Sequence, residues 1–432
     1  MRLFADTTPL RHRDFRRLWW AGIPTVIGAN LTIFAVPVQV YSLTQSSAYV
    51  GLAGLFALVP LVVFGLWGGA LADAMDRRVL LIIASCGLAV SSVLLWVQAA
   101  LHLDNVWLVL CLLALQQAFY AVNSPTRSAA IPRILPGDQV AAANALNITV
   151  TQFGAIAGPL LAGLLLAFVD LSTLYLIDAV TCLLPIWATF RLAAMPPLAV
   201  GDAAKAASRL GLRAVFDGFR YLAGNTVVLM SFVVDLIAMI LGMPRALFPQ
   251  MAHESFGGPV NGGTTMALLA AAMAIGAVAG GVFSGWLPRV RRQGLAVVVA
   301  IVVWGVAVTG FGVAAGFAGG HAGVLLWVAI ACLAIGGAAD MVSSVFRNTI
   351  LLQAASDELR GRLQGVYIVV VAGGPRIADV LHGAAAASAG TAVAAAGGGV
   401  LVVVGVVIAV VAVPAFVRYR VGSVQPAGGD KG

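Results

Sequence analysis

Twelve apolar runs, each about as long as a bilayer is thick, divide this 432-residue chain. A helix needs about 20 mainly apolar residues to cross the hydrocarbon core. The runs lie near 17–43, 48–72, 79–101, 106–124, 139–169, 171–191, 225–252, 264–287, 294–318, 323–350, 362–388 and 391–417. Hydrophobic residues make up 61 % of the chain and charged ones only 10 %, more apolar surface than a soluble protein of this length can hide. Lipid is the expected solvent. An open strand would leave backbone amides unpaired there, so each run is expected to be a helix.

The positive charges set the threading. Arg2, Arg11, Arg13, Arg16 and Arg17 precede the first run, Arg77 and Arg78 follow the second, and Arg133 follows the fourth. Lys205, Arg209, Arg213 and Arg220 lie between the sixth and seventh, and Arg289, Arg291 and Arg292 between the eighth and ninth. Arg360 and Arg362 follow the tenth, and Arg418, Arg420 and Lys431 end the chain. The alternate connections, such as 102–105 and 253–263, carry no Lys or Arg. The positive-inside rule then places both termini in the cytoplasm. The net charge of +8 is explained by this asymmetry, and nucleic acid is not an expected partner. The first run is too long for a cleavable signal and lacks a small-residue cleavage pattern. Cys86, Cys111, Cys182 and Cys332 have neither metal nor disulfide spacing. No metal, cofactor or enzymatic activity is expected. The five histidines are dispersed, and no P-loop or nucleophile–base pattern occurs.

The chain repeats itself at half its length. Gly69 and Gly281 head similar stretches that end in paired arginines, Arg127 matches Arg347, and Gly158-Pro159 matches Gly374-Pro375. The offsets are 212, 220 and 216. The expected organisation is an N-terminal six-helix bundle over 1–193, a cytoplasmic linker over 194–222, a C-terminal six-helix bundle over 223–418 and a tail over 419–432. A repeat of this kind marks transporters whose halves move about a central site.

Three motifs carry a resemblance. Gly69-x-Leu71-Ala72-Asp73-x-x-Asp76-Arg77-Arg78 resembles the signature loop of the major facilitator superfamily, with Ala74 and Asp76 departing from the usual basic residue and Gly. Gly154, Gly158, Pro159 and Gly163 resemble the antiporter motif of exporters in that superfamily. "DFRRLWWAG", "PRALFPQMA" and "LRGRLQGVY" resemble the enterobactin-exporter-like branch of its drug:proton antiporters. The resemblance implies an all-α membrane protein of twelve transmembrane helices in two pseudo-symmetric bundles. It implies efflux of a siderophore or amphiphilic drug in exchange for protons by alternating access, in a protein expected to be a monomer. An importer or uniporter on the same fold, or a non-transporting membrane receptor, is the alternative. The signature loop, with Arg127 and Arg347, would act as a conformational latch.

Ionisable residues at membrane depth are costly and persist with a partner or a task. Arg376, Asp379 and His382 fall at a spacing of three and share one side of a helix, a candidate proton-coupling set with Asp235 as a second acid. Arg245 could attract an anion or pair with Asp379. Asp340 is a candidate for the cavity wall, and its distance from Arg347 along a helix predicts no direct contact. Asn30, Gln39, Gln116, Tyr120, Asn123 and Asn147 form polar stripes that predict a substrate cavity. Asp178 is expected to be structural.

Overall fold

The computed structural model describes residues 6–196, 226–354 and 357–419, and within them the side chains of all but 66, 69, 70, 72–74, 288 and 352–372. The linker and tail therefore fall almost wholly outside the described residues, as do the side chains of Gly69 and Asp73.

Among the described residues, twelve long helices follow one another. They are α1 (Arg13–Thr44), α2 (Ser47–Ala74), α3 (Arg77–Ala100), α4 (Val106–Ile134), α5 (Val140–Leu165) and α6 (Leu171–Phe190, broken at Cys182). After the linker come α7 (Thr226–Leu241), α8 (Thr264–Val282), α9 (Gln293–Phe317), α10 (Val324–Ala354), α11 (Asp357–Ala389) and α12 (Thr391–Ala412). Among the described residues, eleven segments have the length and hydropathy to cross a membrane, and α11 is 33 residues long. Large apolar side chains such as Trp187, Val306 and Ile408 face outward, which suits a lipid surround. Short polar caps allow tight turns. Ser46 accepts from the Ala48 amide, Asp76 from Arg78, and Asn105 from Trp107 and Leu108, each satisfying a helix-start N–H that lipid could not.

The packing repeats with a period of six helices. In the first half α2 packs on α4, α3 on α4, α1 on α5, α3 on α6 and α1 on α6. In the second, α8 packs on α10, α9 on α10, α7 on α11, α9 on α12 and α7 on α12. The halves meet through α2 with α11 and α5 with α8, two seams that are themselves repeat mates.

The seams close at one end. With twelve helices in succession, the start of α1 and the end of α12 lie on one side, the terminal side. On the far side a single apolar core draws on both bundles, from Leu31 and Tyr41 of α1 through Ala162 of α5 to Met251, Met266 of α8 and Phe311 of α9. On the terminal side the described cores divide. Phe15, Leu18, Ile131 and Leu192 belong to the first bundle, and Val234, Ile301, Phe346 and Val402 to the second.

Small residues let the seams approach. A side chain on Gly54 of α2 would meet the Arg376 carbonyl at 2.7 Å and Asp379 Cβ at 2.8 Å. Gly51 lies against Gly383 in the same way, and Gly163 of α5 against Ala267 of α8. Close backbone approach is what small residues contribute in membranes, where dispersion rather than water drives helix pairing.

Candidate functional site

The centre of the molecule is built around a break after α7. Pro244 has no amide to continue the helix, and Gly242 precedes it. The carbonyl of Gly242 accepts from the Trp304 indole of α9 at 2.8 Å, so the break leaves no orphan there. A 3-10 turn over Arg245–Leu247 follows, and it projects Arg245 into the open space between the bundles.

Three acids and two further arginines surround this point. Arg245 lies within electrostatic reach of Asp340 on α10 and of Asp379 on α11. Arg376 also acts on Asp379, and the Ala246 backbone lies beside that carboxyl. Arg376 donates to Gln117 Oε1 of α4 at 3.0 Å, a bond that crosses between bundles at mid-membrane. Tyr120, one turn further along α4, lies close enough to act on Arg376 and is 49 % exposed. An exposed tyrosine beside an arginine of the other bundle marks a cleft between the bundles. Asp340 in turn approaches Arg347 at 3.7 Å, and Arg347 forms an ion pair with Asp235 of α7. Charges of alternating sign thus run from Asp235 through Arg347, Asp340 and Arg245 to Asp379 and Arg376.

Several expected placements change. Asp340 and Arg347 do touch, because side chains on a helix lean toward its N-terminus and a long arginine reaches back two turns. Gln39 and Gln116 turn into the first bundle instead of the cleft. Gln39 bonds reciprocally with Gln98 and accepts from Tyr175 at 2.8 Å. Gln116 donates to Ser92 at 3.1 Å and faces Asp178. Asn123 donates to Ser85 of α3 at 3.0 Å, and Asn30 to the Val26 carbonyl at 2.8 Å. Asn147 is half-buried on α5. His382 is buried, hydrogen-bonds through Nδ1 to the Ala378 carbonyl, and presses on Gly398 of α12, away from the cleft.

Asp178 is 1 % exposed and accepts from Thr32 at 2.7 Å and Ser92 at 2.8 Å, which ties α6 to α1 and α3. The signature loop is laced to its own bundle. Asp76 accepts from the Met195 amide at 3.0 Å, Arg77 donates to the Ala129 carbonyl at 2.9 Å and Arg78 to the Phe190 carbonyl at 2.7 Å. Arg127 donates to the Leu18 carbonyl of α1, as its repeat mate Arg347 reaches α7. Gly154 and Gly158 pack against Val26 and Asn30 of α1, while Gly163 faces α8. Pro159 is buried in the same helix.

Four polar residues escaped notice in the sequence. On the far side Tyr41 donates to Glu254 at 2.8 Å, Ser47 donates to Gln250 at 2.6 Å, and Gln250 donates to both Glu254 oxygens. This clasp ties α1 and α2 to the segment after α7. Gln117 was likewise hidden, one residue from the stripe at Gln116 and Tyr120.

The transmembrane secretion effector family matches residues 5–424, nearly the whole chain. The chain belongs to that family, within the major facilitator superfamily. Curated relatives include the enterobactin exporter EntS of Shigella boydii, 26 % identical over 380 residues, 87 % of this chain and 86 % of that protein. EntS of Citrobacter koseri is 26 % identical over 383 residues, with 87 % and 86 % covered. Solved structures with the same fold include a peptide transporter POT mutant, with TM-score 0.73 and 13 % identity over 93 % of this chain and 95 % of that one. A D-xylose–proton symporter has TM-score 0.70 and 12 % identity over 92 % and 97 %. The protein is a multi-pass membrane transporter and not an enzyme.

Proposed function

We propose that this transporter expels a siderophore or another amphiphile from the bacterial cell in exchange for protons, by alternating access. The observation that carries the reading is the charged cluster of Arg245, Asp340, Arg376 and Asp379 at the head of a cleft. The cleft is sealed on the far side by a core common to both bundles. With the terminal side in the cytoplasm, as the basic residues favour, this is the conformation that receives cargo from inside. The enterobactin exporters named above support cargo of siderophore type. Asp379 is the proton carrier in this reading, since it faces the cleft while Asp235 is sealed in an ion pair. Arg376 holds it, Gly163 allows the α5–α8 seam to part and re-form, and Gly154 and Gly158 keep α5 packed on α1 as it moves. The protein works as a monomer, and the basic loop Asp76-Arg77-Arg78 holds the cytoplasmic face of the first bundle together.

Proteoliposomes loaded with a pH-sensitive dye test the reading. Enterobactin or a macrolide added to one side is expected to drive proton movement with wild type and far less with Asp379→Asn. Equal proton flux in the two proteins would remove Asp379 from the mechanism. Substrate flux without any proton movement would replace exchange by facilitated diffusion.

A further inference from the structure

The cleft-facing charges balance. Asp340 and Asp379 carry one negative charge each, Arg245 and Arg376 one positive charge each. The neighbouring Asp235–Arg347 pair is neutral and sealed within the second bundle. α8 and α9, which also pack on α10, carry no titratable side chain. The segment after α7 contributes Arg245, α10 contributes Asp340 and Arg347, and α11 contributes Arg376. From α4 come Gln117 and Tyr120, from α2 the bare face of Gly54, and from α12 Gly398, which abuts His382. Arg245 is the most exposed of the four charges, while Asp340 keeps 25 % of its side chain accessible.

A balanced cluster in a low-dielectric cleft resists any change in its net charge. When a proton neutralises Asp340 or Asp379, Arg245 loses a counter-ion and the cluster becomes positive. An anion arriving at Arg245 then restores balance, and a cation would worsen it. Conversely, a cation that settles on an ionised carboxylate takes the place a proton would occupy.

We propose that the charge of the cargo sets the sign of its coupling to protons at this site: cationic groups compete with a proton for Asp340 and Asp379, whereas anionic groups bind Arg245 together with a proton. This deepens the exporter reading and takes from it only that cargo enters this cleft. One consequence is a cargo class. Exchange for protons requires a group that is cationic, or that donates hydrogen bonds to a carboxylate, at the end facing Asp379. An acidic amphiphile would leave with a proton instead of in exchange for one.

The test uses two rigid ions of matched shape, tetraphenylphosphonium and tetraphenylborate, neither of which titrates. Binding to the full-length protein in nanodiscs is followed between pH 5.5 and 8.5 by equilibrium dialysis, with empty nanodiscs subtracted, and proton release is read in weak buffer. Tetraphenylphosphonium is expected to bind more tightly as pH rises, by up to about tenfold in Kd per pH unit for one linked proton, and to release protons. Tetraphenylborate is expected to bind more tightly as pH falls and to take protons up. Arg245→Gln should remove the proton uptake, and the double variant Asp340→Asn/Asp379→Asn the proton release. Should either variant fail to fold, the opposite signs in wild type still decide. The same sign for both ions, pH-independent binding, or no saturable binding of either ion would overturn the proposal. Equilibrium binding needs no flux. Absent export with oppositely signed linkage would therefore sink the exporter reading alone, and export with equal linkage would sink this proposal alone.

Discussion

Arg347 of α10 is paired with Asp235 of α7 inside the second bundle, with side-chain exposures of 4 % and 3 %. Its repeat mate Arg127 holds α1 through the Leu18 carbonyl in the first bundle. The two arginines thus fix equivalent helix pairs, one through a carboxylate and one through the backbone. Removing one partner of a buried pair leaves an uncompensated charge and costs about 3–5 kcal/mol, while apolar replacement of both can be near neutral. Arg347→Leu is therefore expected to lower the thermal midpoint of the purified protein sharply. Asp235→Leu/Arg347→Leu should recover a large part of the loss. A single variant as stable as wild type would show that the pair holds nothing.

The run of helices and the packing at Gly154, Gly158 and Gly163 were legible in the sequence, whereas Gly51, Gly54 and Gly383 of the α2–α11 seam carried no motif. Lipid enforces long apolar runs, basic residues mark one side, and the repeat mates Arg127 and Arg347 advertise the symmetry. Side-chain partners were harder to read. A stripe at helical spacing names a face but not the neighbour it meets. Gln116 and Gln117 differ by about 100° around α4, and only Gln117 crosses to Arg376. The Asp235–Arg347 pair joins residues far apart in sequence, and nothing local announces it. Tyr41, Ser47, Gln250 and Glu254 sit at helix ends, where polar residues are ordinary, so their meeting across the bundles left no pattern.

That far-side clasp leads to a second prediction. The Tyr41–Glu254 and Ser47–Gln250 bonds exist only while the bundles are closed at that end. A hydrogen bond of this kind contributes about 1 kcal/mol net, which is roughly a fivefold change in a two-state ratio. Tyr41→Phe with Ser47→Ala should shift the population toward the far-side-open form. Spin labels at Leu103 and His321, in a background without the native cysteines, would report a longer distance component with greater weight. An unchanged distance distribution would mean that the clasp does not set the equilibrium.

The glycine seam gives a third. Leu in place of Gly54 would collide with α11 at Arg376 and Asp379, whereas Gly65, further along the same helix, has nothing within 4 Å of a Cβ position. Gly54→Leu is expected to reduce transport by more than tenfold, through a displaced Asp379 and a separated seam. Gly65→Leu should leave the rate within about twofold. Initial efflux rates normalised to protein in the membrane compare the two. Equal effects would point to general helix disruption and away from the seam.

Asp178 and Asp379 are both carboxyls at membrane depth, and their surroundings assign them different work. Asp178 is enclosed by neutral donors from three other helices, Thr32 on α1, Ser92 on α3 and Gln116 on α4, and is 1 % exposed. Asp379 sits beside two arginines at the cleft wall. Asparagine at 178 keeps an acceptor of the same shape, so Asp178→Asn should preserve the pH dependence of transport and lower stability modestly. Asp178→Leu strands three donors, each at about 1–3 kcal/mol, and should reduce folded protein in the membrane severely. At 379 the order of effects reverses. Asp379→Asn should fold normally and lose most of the pH dependence, because a fixed neutral group cannot exchange a proton and only Asp340 is left in the cluster to do so. Measuring transport against pH alongside thermal stability for the three variants separates the roles, and a flattened pH profile in folded Asp178→Asn would make Asp178 a second proton-carrying residue.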